Sequence, residues 1–218
     1  MSKETHLRHV LDSGIVAVVR SPDSQQLVEV AKALADGGVT VVEITMSVPG
    51  ALDVVRQVRQ ALGDPLLLGA GTVLDPETAR AVLLAGAEFI VSPTLNVEVI
   101  RMCQRYDKLV MPGTFTPTEI LAAWEAGADI IKVFPAEVVG PAYFKALRGP
   151  LPQIRVMPTG GVDLNTAAAF LKAGACCLGV GSQLVDPKLV AERKFDRIGE
   201  LARQYVDIVQ RTRREMGM

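Results

Sequence analysis

Along most of the chain, short runs of β-branched and apolar residues alternate with longer segments whose apolar positions recur every three or four residues. The short runs suit strands covered on both sides, and the longer segments suit helices with one covered stripe. Their regular alternation predicts parallel strands joined by crossover helices. Eight strands are predicted, at residues 15–20, 39–45, 66–72, 88–92, 108–112, 129–134, 155–158 and 177–180.

Three echoes of one tripeptide, Ala85-Gly86-Ala87, Ala126-Gly127-Ala128 and Ala173-Gly174-Ala175, each close a predicted helix just before a strand. Glycine there suits the left-handed position that ends a helix. Helix starts are marked by Thr116-Pro117-Thr118-Glu119, with an N-cap, an N1 proline and an N3 carboxylate, and by Asp75-Pro76. An amphipathic stretch at residues 4–11 is expected to plug the floor of the fold. A long last helix carries Phe195, Ile198, Leu201, Tyr205 and Ile208 on one stripe.

No linker divides these units, so residues 1–218 are read as one α/β domain, a single (β/α)8 TIM barrel with an N-terminal helix. An open doubly wound sheet is the competing architecture. It is disfavoured because no glycine-rich dinucleotide fingerprint follows the first strand.

Composition narrows the partners. The 218 residues are 49% hydrophobic and 22% charged, with a net charge of −1 and no basic field to hold a nucleic acid. The one basic cluster, Arg211, Arg213 and Arg214, is read as complementing the dipole of the last helix. Three cysteines, two of them adjacent, make a poor disulfide framework and point to a reducing cytoplasm. No apolar run is long enough for a signal sequence or a membrane span.

Alternation along the sixth strand puts Ile130, Lys132 and Phe134 on one face and Ile131 and Val133 on the other, so Lys132 points inward. An amine in apolar surroundings either pairs with a carboxylate or loses its proton and becomes a nucleophile toward carbonyls. The same rule places Val41, Glu43 and Thr45 inward on the second strand, which brings a carboxylate suited to proton transfer. Arg20, ending the first strand, adds a permanent cation able to clamp a carboxylate.

Thr159-Gly160-Gly161 after the seventh strand and Gly179-Val180-Gly181-Ser182 after the eighth lie where barrels of this kind hold phosphate. A helix predicted to start near Asp163 would aim its positive end at the same place.

Taken in order, Val42-Glu43-Ile44-Thr45, Gly69-Ala70-Gly71-Thr72-Val73, Ile90-Val91-Ser92-Pro93, Lys132-Val133-Phe134-Pro135-Ala136-Glu137, Pro158-Thr159-Gly160-Gly161-Val162 and Gly179-Val180-Gly181-Ser182 resemble the 2-keto-3-deoxy-6-phosphogluconate (KDPG) aldolases over nearly the whole chain. The resemblance implies a Schiff-base lysine at Lys132, a general acid/base at Glu43 and a carboxylate ligand at Thr72. It also implies phosphate ligands at Gly160, Gly161, Gly181 and Ser182, further substrate-site positions at Thr45, Pro93, Phe134 and Thr159, and a homotrimer. Some members carry an arginine shortly after the motif glutamate, where this chain has Met46-Ser47-Val48-Pro49. Other members look like this chain here and have an arginine ending the first strand, so Arg20 is the candidate for that role.

The implied reaction is reversible cleavage of 2-keto-3-deoxy-6-phosphogluconate to pyruvate and glyceraldehyde 3-phosphate, with neither cofactor nor metal. The only histidines, His6 and His9, lie in the N-terminal segment, away from the strand ends where a catalytic metal would sit. The C4-epimeric galactonate substrate and 4-hydroxy-2-oxoglutarate remain alternatives. From a different class, so does a non-catalytic phosphate-binding barrel or assembly subunit. No nucleic acid or membrane partner is expected.

Overall fold

A computed structural model of the chain describes residues 2–217. Its strands are β1 (Ile15–Val19), β2 (Val41–Thr45), β3 (Leu67–Gly71), β4 (Phe89–Val91), β5 (Leu109–Met111), β6 (Gly113–Thr114), β7 (Ile131–Val133), β8 (Val156–Pro158) and β9 (Leu178–Val180). The helices are α1 (Lys3–Ser13), α2 (Leu27–Asp36), α3 (Ala51–Leu62), α4 (Pro76–Ala85) and α5 (Val97–Arg105). They continue with α6 (Pro117–Glu125), α7 (Ala136–Leu147), α8 (Ala167–Lys172), α9 (Pro187–Ala191) and α10 (Phe195–Glu215).

Six strands form a curled parallel sheet in the order β5-β4-β3-β2-β1-β9, and β6-β7-β8 form a second parallel sheet. The two sheets touch at both margins. Asp129 N donates to Val110 O at 3.1 Å, Cys176 N donates to Val156 O at 3.0 Å, and Thr159 bridges Gly179 in parallel.

Nine strand segments stand where eight were expected, because the fifth continues beyond residue 112 as β6. Pro112 has no N–H to give, so the ladder breaks there, while its carbonyl still accepts from Lys132 N at 3.0 Å. Several strands also begin a residue or two later than predicted, after half-buried charged residues such as Glu88, Lys108 and Arg155 that lead into them. The glycines of the tripeptide echo are left-handed as expected, with φ of 114° at Gly86, 94° at Gly127 and 100° at Gly174. The cap at Asp75 and the reciprocal capping box of Thr116 and Glu119 are both formed.

Alternation divides the strand side chains between two apolar bodies. Val42, Ile44, Ile131 and Val133 face the helices, whereas Val41, Phe89, Met111, Ile130 and Met157 fill the space enclosed by the strands. Val10 of α1 joins the inner group with Leu7 and Leu11 at its edge, so this helix does plug the floor. Burying Val10 completely contributes about 1.5–3 kcal/mol. Polar contacts fix the plug: Lys3 pairs with Asp129 at 3.0 Å, and His9 Nε2 bonds Thr40 Oγ1 at 2.7 Å. The buried stripe of α10 is Ile198, Gly199, Ala202, Tyr205, Val209 and Thr212, with Phe195, Leu201 and Ile208 only at its margins. That shift follows the helical period more closely than the apolar residues alone suggested, because small residues let α10 approach α2.

Arg213 does more than complement a dipole. Its Nη1 donates to Asp12 O at 2.6 Å, and its Nη2 donates to Leu11 O at 2.5 Å and to Cys176 O at 3.5 Å. One guanidinium thus satisfies carbonyls at the end of α1 and at the entrance to β9. Replacing it should leave them to water and loosen α1. Arg213→Met is expected to lower the free energy of unfolding by about 1.5–3 kcal/mol, the usual worth of a charge-assisted bond, read from urea denaturation. An unchanged midpoint would mean that water substitutes fully.

Candidate active site

Both backbone polar groups of Lys132 are held: its N–H donates to Pro112 O at 3.0 Å, and its carbonyl accepts from Thr114 Oγ1 at 3.1 Å. The side chain therefore leaves the strand in a fixed direction, into the enclosed space above the apolar floor, and the residue is 5% exposed. Its Nζ lies 5.2 Å from the centre of the Phe134 ring. Glu43 enters the same space from β2, is 1% exposed, and has two buried carboxylate oxygens with no hydrogen-bond partner. A side chain at Gly71 on neighbouring β3 would collide with that carboxylate, so glycine is required for Glu43 to sit where it does.

Burial dominates the electrostatics. It pushes the Lys132 amine below the ordinary lysine range, Glu43 opposes that shift, and Arg20 adds to it. Burial likewise pushes Glu43 above the ordinary carboxyl range, against the pull of Lys132 and Arg20. Both groups move toward their neutral forms, which are an amine with a free lone pair and a carboxyl with a proton to give. Such a pair can attack a carbonyl and move protons nearby.

A cavity of about 510 Å³ opens nearby, and Phe134, whose ring lies 5.2 Å from Lys132 Nζ, forms part of its wall. Its walls include Arg20, Ser47, Phe134, Glu137, Thr159, Gly160, Gly161, Gly181, Ser182 and Gln183. Gly160 and Gly161 are consecutive left-handed residues, with φ of 91° and 69°, and they turn the backbone around the cavity edge. Thr159 Oγ1 is buried without a partner, and a Cβ built at Gly181 would point into open space. An unpaired hydroxyl beside an open, glycine-lined cradle suits an anion.

Seven sequence-derived positions meet in this wall: Arg20, Phe134, Thr159, Gly160, Gly161, Gly181 and Ser182. Thr45 reaches it indirectly, by a 2.8 Å bond from its hydroxyl to that of Ser47. Lys132, Glu43, Thr72 and Pro93 are not part of the wall. Thr72 follows Gly71 with a left-handed φ of 58°, and the backbone of Pro93 packs against Gly113. The oxygens of Glu43 have no hydrogen-bond partner, so Arg20 makes no ion pair with it.

The helix expected near Asp163 starts at Ala167 and has six residues. The Asp163 carboxylate instead accepts from Asn165 N and Thr166 N at 2.8 Å each, which spends the intervening residues on a turn. Sequence reasoning also missed the remaining polar wall residues: Ser47 was set aside for lacking charge, Glu137 stood in a quoted motif without a role, and Ser21 and Gln183 gave no signal. His6 and His9 lie at the floor, where His6 faces Glu88 at 3.8 Å.

Residues 7–201 match the family model for KDPG and KHG aldolase. The chain is 36% identical over 197 residues to a 2-dehydro-3-deoxy-phosphogluconate aldolase of Haemophilus influenzae, covering 90% of this chain and 92% of the relative. It is equally 36% identical over 197 residues to a 2-dehydro-3-deoxy-6-phosphogalactonate aldolase of Escherichia coli K12, at 90% and 96% coverage. Among solved structures, KDPG aldolase from Legionella pneumophila, with pyruvate captured as a covalent carbinolamine, superposes with a TM-score of 0.84. It is 27% identical, with 93% of this chain and 97% of that one covered.

The contact between Gly71 and Glu43 has a measurable consequence. An alanine at Gly71 must push the carboxylate away, which removes the anion that favours a charged Lys132. Its amine should then lose its proton at lower pH. Gly71→Ala is therefore expected to move the midpoint of Lys132 reductive methylation, followed by peptide mass mapping, to lower pH, in the same direction as Glu43→Gln. A midpoint that stays put in both variants would show that Glu43 exerts no field on the amine.

Proposed function

We propose, from the premise that this chain belongs to the KDPG and KHG aldolase family, that it is a class I aldolase working through an imine on Lys132. Its substrate on this reading is 2-keto-3-deoxy-6-phosphogluconate, cleaved reversibly to pyruvate and glyceraldehyde 3-phosphate. The observation that carries the proposal is a buried lysine shifted toward its neutral form beside a carboxyl that has no other partner.

Lys132 Nζ adds to the C2 ketone, and Glu43 gives its proton to the departing hydroxyl, so that water leaves, an iminium forms and a carboxylate remains. The positive nitrogen accepts the electron pair of the breaking C3–C4 bond as Glu43, directly or through a water, takes the C4 hydroxyl proton. Glyceraldehyde 3-phosphate leaves, the enamine recovers a proton from Glu43, and hydrolysis frees pyruvate. One carboxyl serves each step because the steps follow one another. No metal ion enters this scheme.

Gly160, Gly161, Gly181 and Ser182 hold the phosphate on this reading, with Thr159 beside them and Phe134 stacked along the Lys132 stem. Thr72 and Arg20 take the keto-acid carboxylate, while Thr45 and Pro93 shape the site. Arg20 also shares a wall with the phosphate loops, which supports a second role in drawing that end of the substrate inward. The galactonate epimer is a second substrate reading, favoured by equal identity to the Escherichia coli relative.

The same proposal takes residues 1–218 as one domain and the two sheets as a closed (β/α)8 barrel, supported by the hydrogen bonds at both margins. It includes a homotrimer, for which exposed Phe115, Leu121 and Val138 offer apolar surface. A cytoplasmic setting fits the free cysteines, and among the described residues no helix is long and apolar enough to cross a membrane.

Pyruvate with borohydride should add one reduced pyruvyl group to Lys132, and Lys132→Arg should abolish that adduct while the fold persists, because arginine stays protonated. Label elsewhere with Lys132 untouched would sink the assignment. Glu43→Gln should still form the adduct but turn over about 10²–10⁴-fold more slowly, as expected when a general acid–base is lost. Near-normal turnover would remove Glu43 from the proton steps. Arg20→Met should raise the pyruvate concentration needed for trapping about tenfold or more, the loss of one charge-assisted bond. If pyruvate trapping holds while the affinity for glyceraldehyde 3-phosphate falls, Arg20 belongs to the phosphate instead.

A further inference from the structure

A second cavity, of about 640 Å³, lies at the opposite end of the strands, where α1 and α10 meet the entrances to β8 and β9. Three arginines line it, Arg148, Arg155 and Arg213, against one carboxylate, Asp12. Arg213 and Arg148 spend hydrogen bonds on backbone carbonyls, Arg148 on Ile154 O at 3.3 Å, so their charges remain uncompensated. Half-buried Cys176 lines the same cavity. Its sulfur lies 3.8 Å from that of Cys177, which is fully buried among the apolar side chains of the floor.

These features do different things to one thiol. Three guanidinium groups draw anions toward it. Cys177 cannot ionise readily: its bond to Cys176 and its burial push its thiol well above the ordinary range. It therefore keeps its proton and can donate a weak S–H bond to the Cys176 sulfur. Cys103, by contrast, is buried in the helix-facing core and pushed up to about 12 by burial, which leaves it inert.

We propose that Cys176 is a covalent modification site for small disulfides bearing carboxylates, recruited by the arginine-lined cavity at the floor of the fold. The Cys176 thiolate attacks one sulfur of the incoming disulfide. That S–S bond breaks, a new one forms to Cys176, and the other half leaves with the electron pair and takes a proton from solvent. The disulfide itself is the oxidant, so the exchange balances. The site lies away from Lys132 and does not depend on the aldolase reading.

The test uses the full chain with glutathione disulfide, which is anionic, and cystamine, which is cationic, followed by intact mass and peptide mapping over time. One glutathionyl group should appear on Cys176, with an anion-over-cation rate preference about tenfold greater than that of an unstructured cysteine peptide at low salt. Arg155→Met and Arg148→Met should each reduce the preference, and the double variant should erase it, with thermal melting confirming that each is folded. Cys176→Ser should take no label. Label on Cys103, no label at all, or a preference equal to that of the peptide would overturn the proposal, as would an arginine variant that keeps the full preference.

Discussion

Everything distinctive about this molecule depends on enclosing an amine and a carboxyl together where water cannot solvate either charge. Lys132 and Glu43 are each almost wholly buried, and burial outweighs their mutual attraction in setting both titrations. An exposed pair would settle into an ordinary ion pair of little consequence. Here the enclosure holds the neutral forms within reach, and the surrounding architecture maintains it. The apolar floor excludes solvent from below, glycine at position 71 leaves room for the carboxyl, and a cavity walled in part by Phe134 opens nearby.

How much of this could be read from the sequence follows from what each signal depends on. The inward direction of Lys132 and Glu43 was legible because it needs only the two-residue period of a strand, and both positions fall in the middle of their runs. The glycine loops of the cavity wall were legible because glycine pairs mark turns. What the sequence did not show depends on neighbours distant along the chain. The break at Pro112 is a ladder property, visible only when a partner strand is in place. The late start of α8 reflects competition by the Asp163 carboxylate for backbone N–H groups. Ser47 was passed over because a hydroxyl without charge looked dispensable, yet it couples Thr45 to the cavity wall.

The two ends of the strands carry different kinds of polarity. At the end holding Lys132, polar atoms such as Thr159 Oγ1 and the Glu43 oxygens are left without partners inside the protein. At the floor, polar groups are largely matched, by the Lys3–Asp129 pair, the His9–Thr40 bond and the carbonyls that Arg213 satisfies. Unmet hydrogen-bonding capacity is costly in a folded chain. Its concentration at one end marks where stability yields to ligand binding, and its satisfaction at the other marks where the fold is secured.

Arg213 also determines how mechanical strain would travel. By grasping the last carbonyls of α1 and the approach to β9 at once, it ties the first and last helices to the same pole of the molecule. Tension between those helices would be shared by this guanidinium, by the seat of α1 beneath the strands and by the packing of α10 against α2 and α8. Both helices thus meet at the base of the molecule, opposite Lys132, which makes them its natural handles.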